Sequence, residues 1–241
     1  MIILGKDSWI GSHLIDDGHP PVVNCVGVQP ARGYYTLKEY LQVNVVDWAE
    51  KLWDIHCYIT DKVITLTSQK TTLKGEIGKL VITDNCVRDI MEWYHNEHGM
   101  QTIVLSLPPV YGPGPYIKGS GLWTLMECAR KGEPIELWGD TRIKRDFISI
   151  HDVITAIECL AGSDTAQGEY QISGGLLSLR EEGETVKRVL GSESEIRYCE
   201  GRDNGLEPSD RYHNQKRIHE LGWKEQWSFE RIVEELRDEL G

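Results

Sequence analysis

Small residues near the start of the chain have the spacing of a phosphate-binding turn. The segment GKDSWIGSHL follows an apolar run over residues 1–4, and a dinucleotide-binding fingerprint would have glycine at its positions 5, 8 and 11. In such a turn the backbone N–H groups at the start of a helix, expected here over SHL, point at a phosphate. Ser8 replaces the glycine that lets the backbone approach a pyrophosphate, and Asp7 adds a negative charge beside it. A structural turn without a ligand is the alternative to the predicted cofactor contacts, which are Gly5, Ser8, Trp9, Ile10 and Gly11.

Two arginines are the candidates for holding an anion in the second half of the chain. Arg145 lies in IKRDFISI and Arg202 in EGRD. A guanidinium group matches the oxygens of a phosphate in two parallel hydrogen bonds, which a lysine cannot do. The alternatives are a surface ion pair of Arg145 with Asp146 or Asp152, and a solvated position in a charged loop for Arg202.

Strands rich in β-branched residues alternate with helical apolar patterns in the first half of the chain. The predicted strands are 21–28, 62–68 and 101–107. The apolar faces of the helices between them are Leu41, Val45, Trp48 and Leu52, and then Val87, Ile90, Met91 and Tyr94. This alternation is typical of a parallel sheet covered by helices. After residue 108 the elements become shorter, so we predict a sheet domain over residues 1–112 and a smaller mixed α/β lobe over residues 113–241, with elements partly interleaved.

Two helices of the second lobe have clear sequence signals. Ser178 and Glu181 have the spacing of a capping box, and Gly191 is placed to end the helix that follows them. The apolar stripe of a C-terminal helix consists of Phe229, Ile232, Val233, Leu236 and Leu240. We expect both helices to pack against the core of this lobe.

Charge and cysteine content exclude several classes of protein. The net charge of −12 over 241 residues argues against a nucleic-acid partner and against an anionic membrane surface, since both require a basic face. No apolar stretch has the length of a membrane span, and residues 1–4 lead directly into a strand, so we expect neither a signal peptide nor a membrane segment. The six cysteines are scattered without a C-x-x-C pair, which favours reduced thiols in a cytoplasmic protein with no metal site.

The chain resembles the extended short-chain dehydrogenase/reductases, in their nucleotide-sugar epimerase/dehydratase group. The strongest match runs from YHNEHGMQTIVLSLPPVYGPG through GEPIELWGDTRIKRDFISIHDVITAIECL. GKDSWIGSHL, GEYQISGGLLSLREEGETVKRVLG and HELGWKEQWSFERIVEEL match as well, so the similarity covers nearly the whole chain. The combination of VYGPG with WGDTRIKRDFISIHD is far more specific than a lone glycine loop.

This resemblance implies a Rossmann-like parallel sheet, NAD or NADP as cofactor, and a nucleotide sugar as substrate. It places Asn44 among the cofactor contacts, with capping or bridging of the backbone within a helix as the alternative. It places Tyr111, Trp138, Arg145 and Arg202 among the substrate contacts, with a packing role as the alternative for Tyr111. Trp138 and also Trp123 could stack on a base, with a core position as the alternative. A homodimer or a heteromer is possible for such a protein.

The sheet is predicted to be shorter than in the family. Only about ten residues separate Gly11 from the strand that starts at Pro21, where the family has two further strands and their helices. Their loss would also remove the residue that recognises the adenosine ribose at the end of the second strand. We therefore predict a parallel sheet lacking about two strands and a weak dinucleotide site.

The family's catalytic tyrosine and lysine are missing at the matching positions. Counting back from VYGPG without a gap places Leu80 and Asp84 there. Leucine has no proton to transfer, and an aspartate has the wrong charge to lower the pKa of a tyrosine from about 10. We interpret Asp84 as a helix-entry residue favoured by the helix dipole. The replacement candidates are Ser68 and Lys79, with Thr67, Thr71 and Lys74 as alternatives.

Three hypotheses for function follow. The first is an enzyme that epimerises, reduces or dehydrates a UDP-, dTDP- or GDP-linked sugar with NAD(P) and a proton donor foreign to the family. The second is a catalytically silent protein that binds a nucleotide sugar or a partner subunit. The third is a lyase or epimerase that uses no nicotinamide.

Overall fold

The computed structural model describes residues 1–4, 8, 10–14, 18, 21–24, 41–69, 75–114, 117–118, 120–201 and 215–240. Contacts divide the chain into two compact units. The first consists of residues 1–108, 154–172 and 216–223, and the second of residues 109–153, 173–215 and 224–241. The domain boundary proposed at residue 112 stays a prediction.

The described residues form ten strands and seven α-helices. The strands are Ile2–Leu4 (β1), Val22–Asn24 (β2), Lys62–Ser68 (β3), Gln101–Leu107 (β4), Val110–Tyr111 (β5), Ile135–Trp138 (β6), Lys144–Ser149 (β7), Gly168–Gln171 (β8), Gly175–Ser178 (β9) and Ile196–Cys199 (β10). The α-helices are Asp47–Tyr58 (α1), Gly75–His98 (α2), Gly121–Lys131 (α3), Ile150–Gly162 (α4), Leu179–Val189 (α5), Lys216–Glu220 (α6) and Phe229–Glu239 (α7). None of these helices combines the length and the apolar character that a membrane span requires.

The first unit contains a parallel sheet of five strands in the order β1-β2-β3-β4-β8. The predicted α/β class and the shortened sheet are thus confirmed for the described residues. Within the described residues, each strand of this sheet lies on the same side of the strand before it. The strand β1 is therefore at one edge, and the strand order does not reverse within this part of the chain.

The prediction that a helix begins at residues 12–14, after the opening turn, is wrong. In the described residues, SHL contributes only to a 3₁₀ turn, Gly11–His13, rather than to an α-helix. Residues 15–17 and 19–20, between this turn and β2, lie outside the described residues.

The helices covering this sheet follow the predicted apolar faces. Trp48 and Leu52 on α1 and Val87, Met91 and Tyr94 on α2 are buried in one cluster. Gln42–Val46 forms a π-helical turn that leads into α1. The strands predicted over 62–68 and 101–107 have the bounds of β3 and β4.

The second unit has a core built from α3, α5, α7, β6 and β7. Ser178 and Glu181 form the predicted capping box of α5. Gly191 follows the C-terminal cap of α5 at Leu190 and has a positive φ of 61°. Phe229, Ile232, Val233 and Leu236 on α7 are buried as the stripe predicts, while Leu240 packs against the cluster from its edge. Trp123 belongs to the same core, which supports the interpretation of Trp123 as a core residue rather than one that stacks on a base.

Candidate functional site

A polar cluster in the first unit lies at the carboxyl ends of β3 and β4 and includes Glu169 near the start of the neighbouring strand β8. Thr67 on β3 and Ser106 on β4 are register partners, and their hydroxyl oxygens lie 2.9 Å apart. The Ser106 hydroxyl donates to Glu169 Oε1 on β8 over 2.6 Å. Parallel strands place such side chains together at the edge where α/β proteins bind their ligands. This edge is therefore the candidate site of the first unit.

Arg88 on α2 joins the members of this cluster. Its Nη2 donates to Thr67 Oγ1 at 3.1 Å, to the Ser68 carbonyl at 3.0 Å and to Ser106 Oγ at 3.1 Å. Its Nε lies 3.3 Å from Glu169 Oε1, and the arginine side chain is only 21% exposed. Sequence reasoning missed Arg88, Ser106 and Glu169. The one available signal was the spacing of Arg88 four residues after Asp84, which is typical of a charged pair on a helix.

Asp84 lies inside α2, and its interpretation as a helix-entry residue is wrong. The helix begins at Gly75, so Asp84 is beyond the reach of the N-terminal dipole. Its Oδ2 accepts the Ser68 N–H over 2.8 Å. Burial raises the pKa of Asp84 to about 6, although the Ser68 N–H and the charge of Arg88 both act in the opposite direction. The carboxyl group can therefore gain or lose a proton near neutral pH.

Arg145 is bound by a carboxylate that sequence reasoning did not identify. Its Nη2 lies 2.6 Å from Glu182 Oε1 on α5, and the Glu182 side chain is only 5% exposed. Burial raises the pKa of Glu182, while Arg145 opposes this shift. The alternative pairing with Asp146 or Asp152 is wrong, because Asp152 accepts the N–H groups of residues 226 and 227 instead. Arg145 Nε is buried and has no hydrogen-bond partner in the described residues.

Asp146, the next residue on β7, is a second buried carboxyl group. Its Oδ1 accepts the hydroxyl hydrogen of Ser173, and its Oδ2 is buried without a partner in the described part of the chain. Burial raises the pKa of Asp146 to about 7, against the effect of the Ser173 hydrogen bond. The second unit thus also contains an acid that titrates near neutral pH.

Of the other predicted substrate contacts, Tyr111 lies close enough to Arg145 and Glu182 for both charges to act on its hydroxyl group. The Tyr111 ring packs edge-on against Phe229, and burial raises the pKa of its hydroxyl above the usual value. Trp138 ends β6, where its register partner is Cys199. Arg202 lies outside the described residues.

The predicted cofactor and catalytic residues of the first unit are only partly described. Gly5, Trp9, Thr71 and Lys74 lie outside the described residues, and so does the side chain of Asn44. Ser8 and Ile10 are half-buried, and Gly11 begins the 3₁₀ turn. Ser68 ends β3 beside Asp84, whereas Lys79 and Leu80 lie half-buried on α2.

Comparison with known proteins identifies a family and two relatives. Residues 82–173 match the model of the NAD dependent epimerase/dehydratase family. A dTDP-L-rhamnose 4-epimerase from Burkholderia thailandensis is 34% identical over 144 residues, which are 56% of this chain and 38% of that protein. A CDP-abequose synthase from Salmonella typhimurium is 27% identical over 175 residues, or 66% of this chain and 55% of that protein. The chain thus spans 38% to 55% of the length of these two relatives.

Solved structures share the fold at low sequence identity. The UDP-glucose 4-epimerase of Thermotoga maritima, solved with UDP-glucose, has a TM-score of 0.74 at 20% identity, covering 91% of this chain and 78% of that chain. RMD from Pseudomonas aeruginosa, solved with NADPH, has a TM-score of 0.79 at 15% identity, covering 98% of this chain and 97% of that chain. These likenesses show the fold.

Proposed function

Because residues 82–173 match the NAD dependent epimerase/dehydratase family, we propose that the chain is a member of that family, among the extended short-chain dehydrogenase/reductases, and an enzyme acting on a nucleoside-diphosphate sugar. The proposed reaction is an epimerisation, ketoreduction or dehydration. The names of the two relatives, which refer to dTDP- and CDP-linked sugars, support this substrate class. The observation that carries the proposal is the polar cluster at the carboxyl ends of β3 and β4, with Glu169 of β8 and with Asp84 beside it. It contains hydroxyl groups and a carboxyl group suited to proton transfer near neutral pH.

In the proposal, the nucleotide sugar binds to the second unit through Tyr111, Trp138, Arg145 and Arg202. The buried Glu182 fixes the orientation of the Arg145 guanidinium, whose side chain is 21% exposed. A diphosphate oxygen is an acceptor of the right charge for a guanidinium group. The neighbouring carboxylate reduces the net attraction, so we expect moderate rather than tight binding.

The family implies NAD or NADP, which would accept and return a hydride. The proposed contacts are Gly5, Ser8, Trp9, Ile10, Gly11 and Asn44. The described residues do not fit an ordinary dinucleotide site. The 3₁₀ turn at Gly11 offers no α-helical N-terminus to a pyrophosphate, and in the described residues β1 has no neighbour on its outer side to recognise the adenosine ribose. We therefore propose weak cofactor binding.

Proton transfer would depend on groups other than the family's tyrosine and lysine, because Leu80 and Asp84 occupy the matching positions. Ser68 and Lys79 are the proposed groups. Ser68 has the support of its place at the end of the central strand β3, where its N–H donates to the carboxyl group of Asp84. For Lys79 the support is its position on the same helix as Asp84.

A thermal-shift screen tests the proposed substrate class. The purified protein is heated with UDP-, dTDP-, CDP- and GDP-linked sugars, with the free nucleoside diphosphates, and with NAD or NADP. A ligand that binds only the folded state raises the melting temperature. We expect at least one nucleotide sugar to raise it more than the matching nucleoside diphosphate does. Equal shifts with all compounds, or none, would contradict the proposal.

We also propose a cytoplasmic location and assembly as a homodimer or heteromer. The described cysteines Cys57, Cys86, Cys128, Cys159 and Cys199 are all free thiols, which supports a reducing compartment. Size-exclusion chromatography with light scattering would give the oligomeric state.

A further inference from the structure

Helix α2 holds both backbone polar groups of Ser68. Asp84 accepts the Ser68 N–H over 2.8 Å, and Arg88 donates to the Ser68 carbonyl over 3.0 Å. The two side chains are four residues apart and therefore lie on the same face of the helix. One residue of β3 is thus fixed by a pair of opposite charges.

The same arginine connects Ser68 to the next two strands. It donates to Thr67 Oγ1 and Ser106 Oγ and pairs with Glu169. Gln69 extends the attachment, since its Nε2 donates to the carbonyls of Ser106 at 3.1 Å and Ile172 at 2.9 Å. The carboxyl end of β3 is therefore bound on its helix side and on its sheet side.

Stability alone is a poor explanation for this arrangement. Asp84 is only 8% exposed, and burying a charged pair costs desolvation energy that its mutual attraction often fails to recover. The charge of Arg88 lowers the pKa of Asp84, but Arg88 forms its ion pair with Glu169, at 3.3 Å. What the pair does provide is a fixed geometry at Ser68.

We propose that Asp84 and Arg88 are positioning residues that clamp Ser68 in place for the reaction. They occupy the helix from which the family's missing tyrosine and lysine would act. This inference rests on the proposed function, because Ser68 is one of the groups proposed to transfer the proton. It assigns the two charged residues a role that acts through Ser68 rather than on the substrate.

The clamp itself can be tested without any substrate. In protein labelled with ¹⁵N-serine, the amide resonance of Ser68 is followed from pH 5 to pH 8. We expect it to titrate with a midpoint of about 6, because the N–H donates to the carboxyl group of Asp84. Asp84→Asn should abolish this titration, whereas Asp89→Asn, which changes an exposed carboxylate on the same helix, should leave it unchanged. A Ser68 amide that is insensitive to pH, or that still titrates in Asp84→Asn, would overturn the clamp.

Turnover of the nucleotide sugar identified in the screen tests the consequence of the clamp. Asp84→Ala and Arg88→Met should each lower kcat by about tenfold or more with KM changed by less than about twofold. Asp84→Asn should retain more activity than Asp84→Ala, since its amide oxygen can still accept the Ser68 N–H. Asp89→Asn should behave as wild type.

The possible outcomes separate the two proposals. Wild-type kcat in both Asp84→Ala and Arg88→Met, with folding confirmed by circular dichroism, would overturn the positioning role. If Asp84→Ala does not fold, the comparison of Asp84→Asn with Asp89→Asn decides in its place. If the wild-type protein converts no nucleotide sugar, the proposed function fails, and the positioning role fails with it. The Ser68 titration still decides whether the clamp exists.

Discussion

Asp146 lowers the stability of the folded protein increasingly as pH rises. Its folded-state pKa of about 7 lies above the value of 3.8 for an unfolded aspartate, so the protein loses stability as pH rises from about 4 through about 7. Between pH 5 and pH 8 this loss is about 2–3 kcal/mol, since one pKa unit corresponds to about 1.4 kcal/mol.

We therefore expect Asp146→Asn to remove most of that decline in the free energy of unfolding, measured by urea titration at both pH values. The asparagine can still accept the Ser173 hydroxyl, so the packing is preserved. Asp54→Asn, a change at an exposed position, serves as the control. An equal decline in Asp146→Asn and wild type would show that this carboxyl group is not the source.

Arg145 combines a structural role with a proposed binding role, and a double variant separates them. Arg145→Ala leaves the carboxylate of Glu182 buried without a partner, which typically costs about 3–5 kcal/mol of stability. Adding Glu182→Gln removes that charge and should restore much of the lost stability.

The double variant should nevertheless bind the nucleotide sugar about 1.5–3 kcal/mol more weakly than wild type, the range of a charge-assisted hydrogen bond. Calorimetric titration of the double variant and of Glu182→Gln alone measures this difference. Unchanged affinity in a folded double variant would remove Arg145 from the site.

For single residues, the sequence predicted which side chains can do chemistry better than it predicted which side chains they contact. Arg145 stood out because a guanidinium is suited to an anion, but its partner Glu182 comes from a distant helix through the β7–β9 pairing. Local spacing suggested Asp146 and Asp152 instead. Asp84 was misread for the same kind of reason, because the start of α2 at Gly75 is not marked by an apolar pattern.

Helix α5 offers a test of local stabilisation within the second unit. The Ser178 hydroxyl accepts the Glu181 N–H at 3.3 Å, and the Glu181 carboxylate accepts the Ser178 N–H at 2.7 Å. Ser178→Ala should lower the free energy of unfolding by about 1 kcal/mol. Glu181→Gln should cost less, because glutamine can also complete a capping box. A loss below about 0.3 kcal/mol for Ser178→Ala, measured by urea unfolding, would show that the cap contributes little.

Strands and helices were predictable from the sequence where most of their side chains are buried. Strands β3 and β4 lie under helices, so they read as continuous β-branched runs with clear ends. The turn at Gly11 was not predictable in the same way, since its glycines are compatible with both an α-helix and a 3₁₀ turn.

For the whole molecule, the shortened sheet has a measurable consequence for cofactor binding. Ser8, Asp7 and the lack of an outer neighbour for β1 in the described residues should each weaken a dinucleotide by about 1 kcal/mol. Together they turn a micromolar site into one about a hundredfold weaker, since about 1.4 kcal/mol corresponds to a factor of ten. Calorimetric titration with NAD and NADP measures this. Co-purification of NAD(P) at about one equivalent would show that the opening turn still binds it tightly.

We propose that this chain chemically converts a nucleoside-diphosphate sugar. The most direct test is proton NMR of each nucleotide sugar that binds, incubated with catalytic amounts of protein, with and without an excess of NAD or NADP. We predict new sugar-ring resonances for at least one compound, appearing faster with the dinucleotide and absent when the protein is boiled. Spectra that stay unchanged for every bound sugar would contradict the claim and would leave a protein that binds nucleotide sugars without converting them.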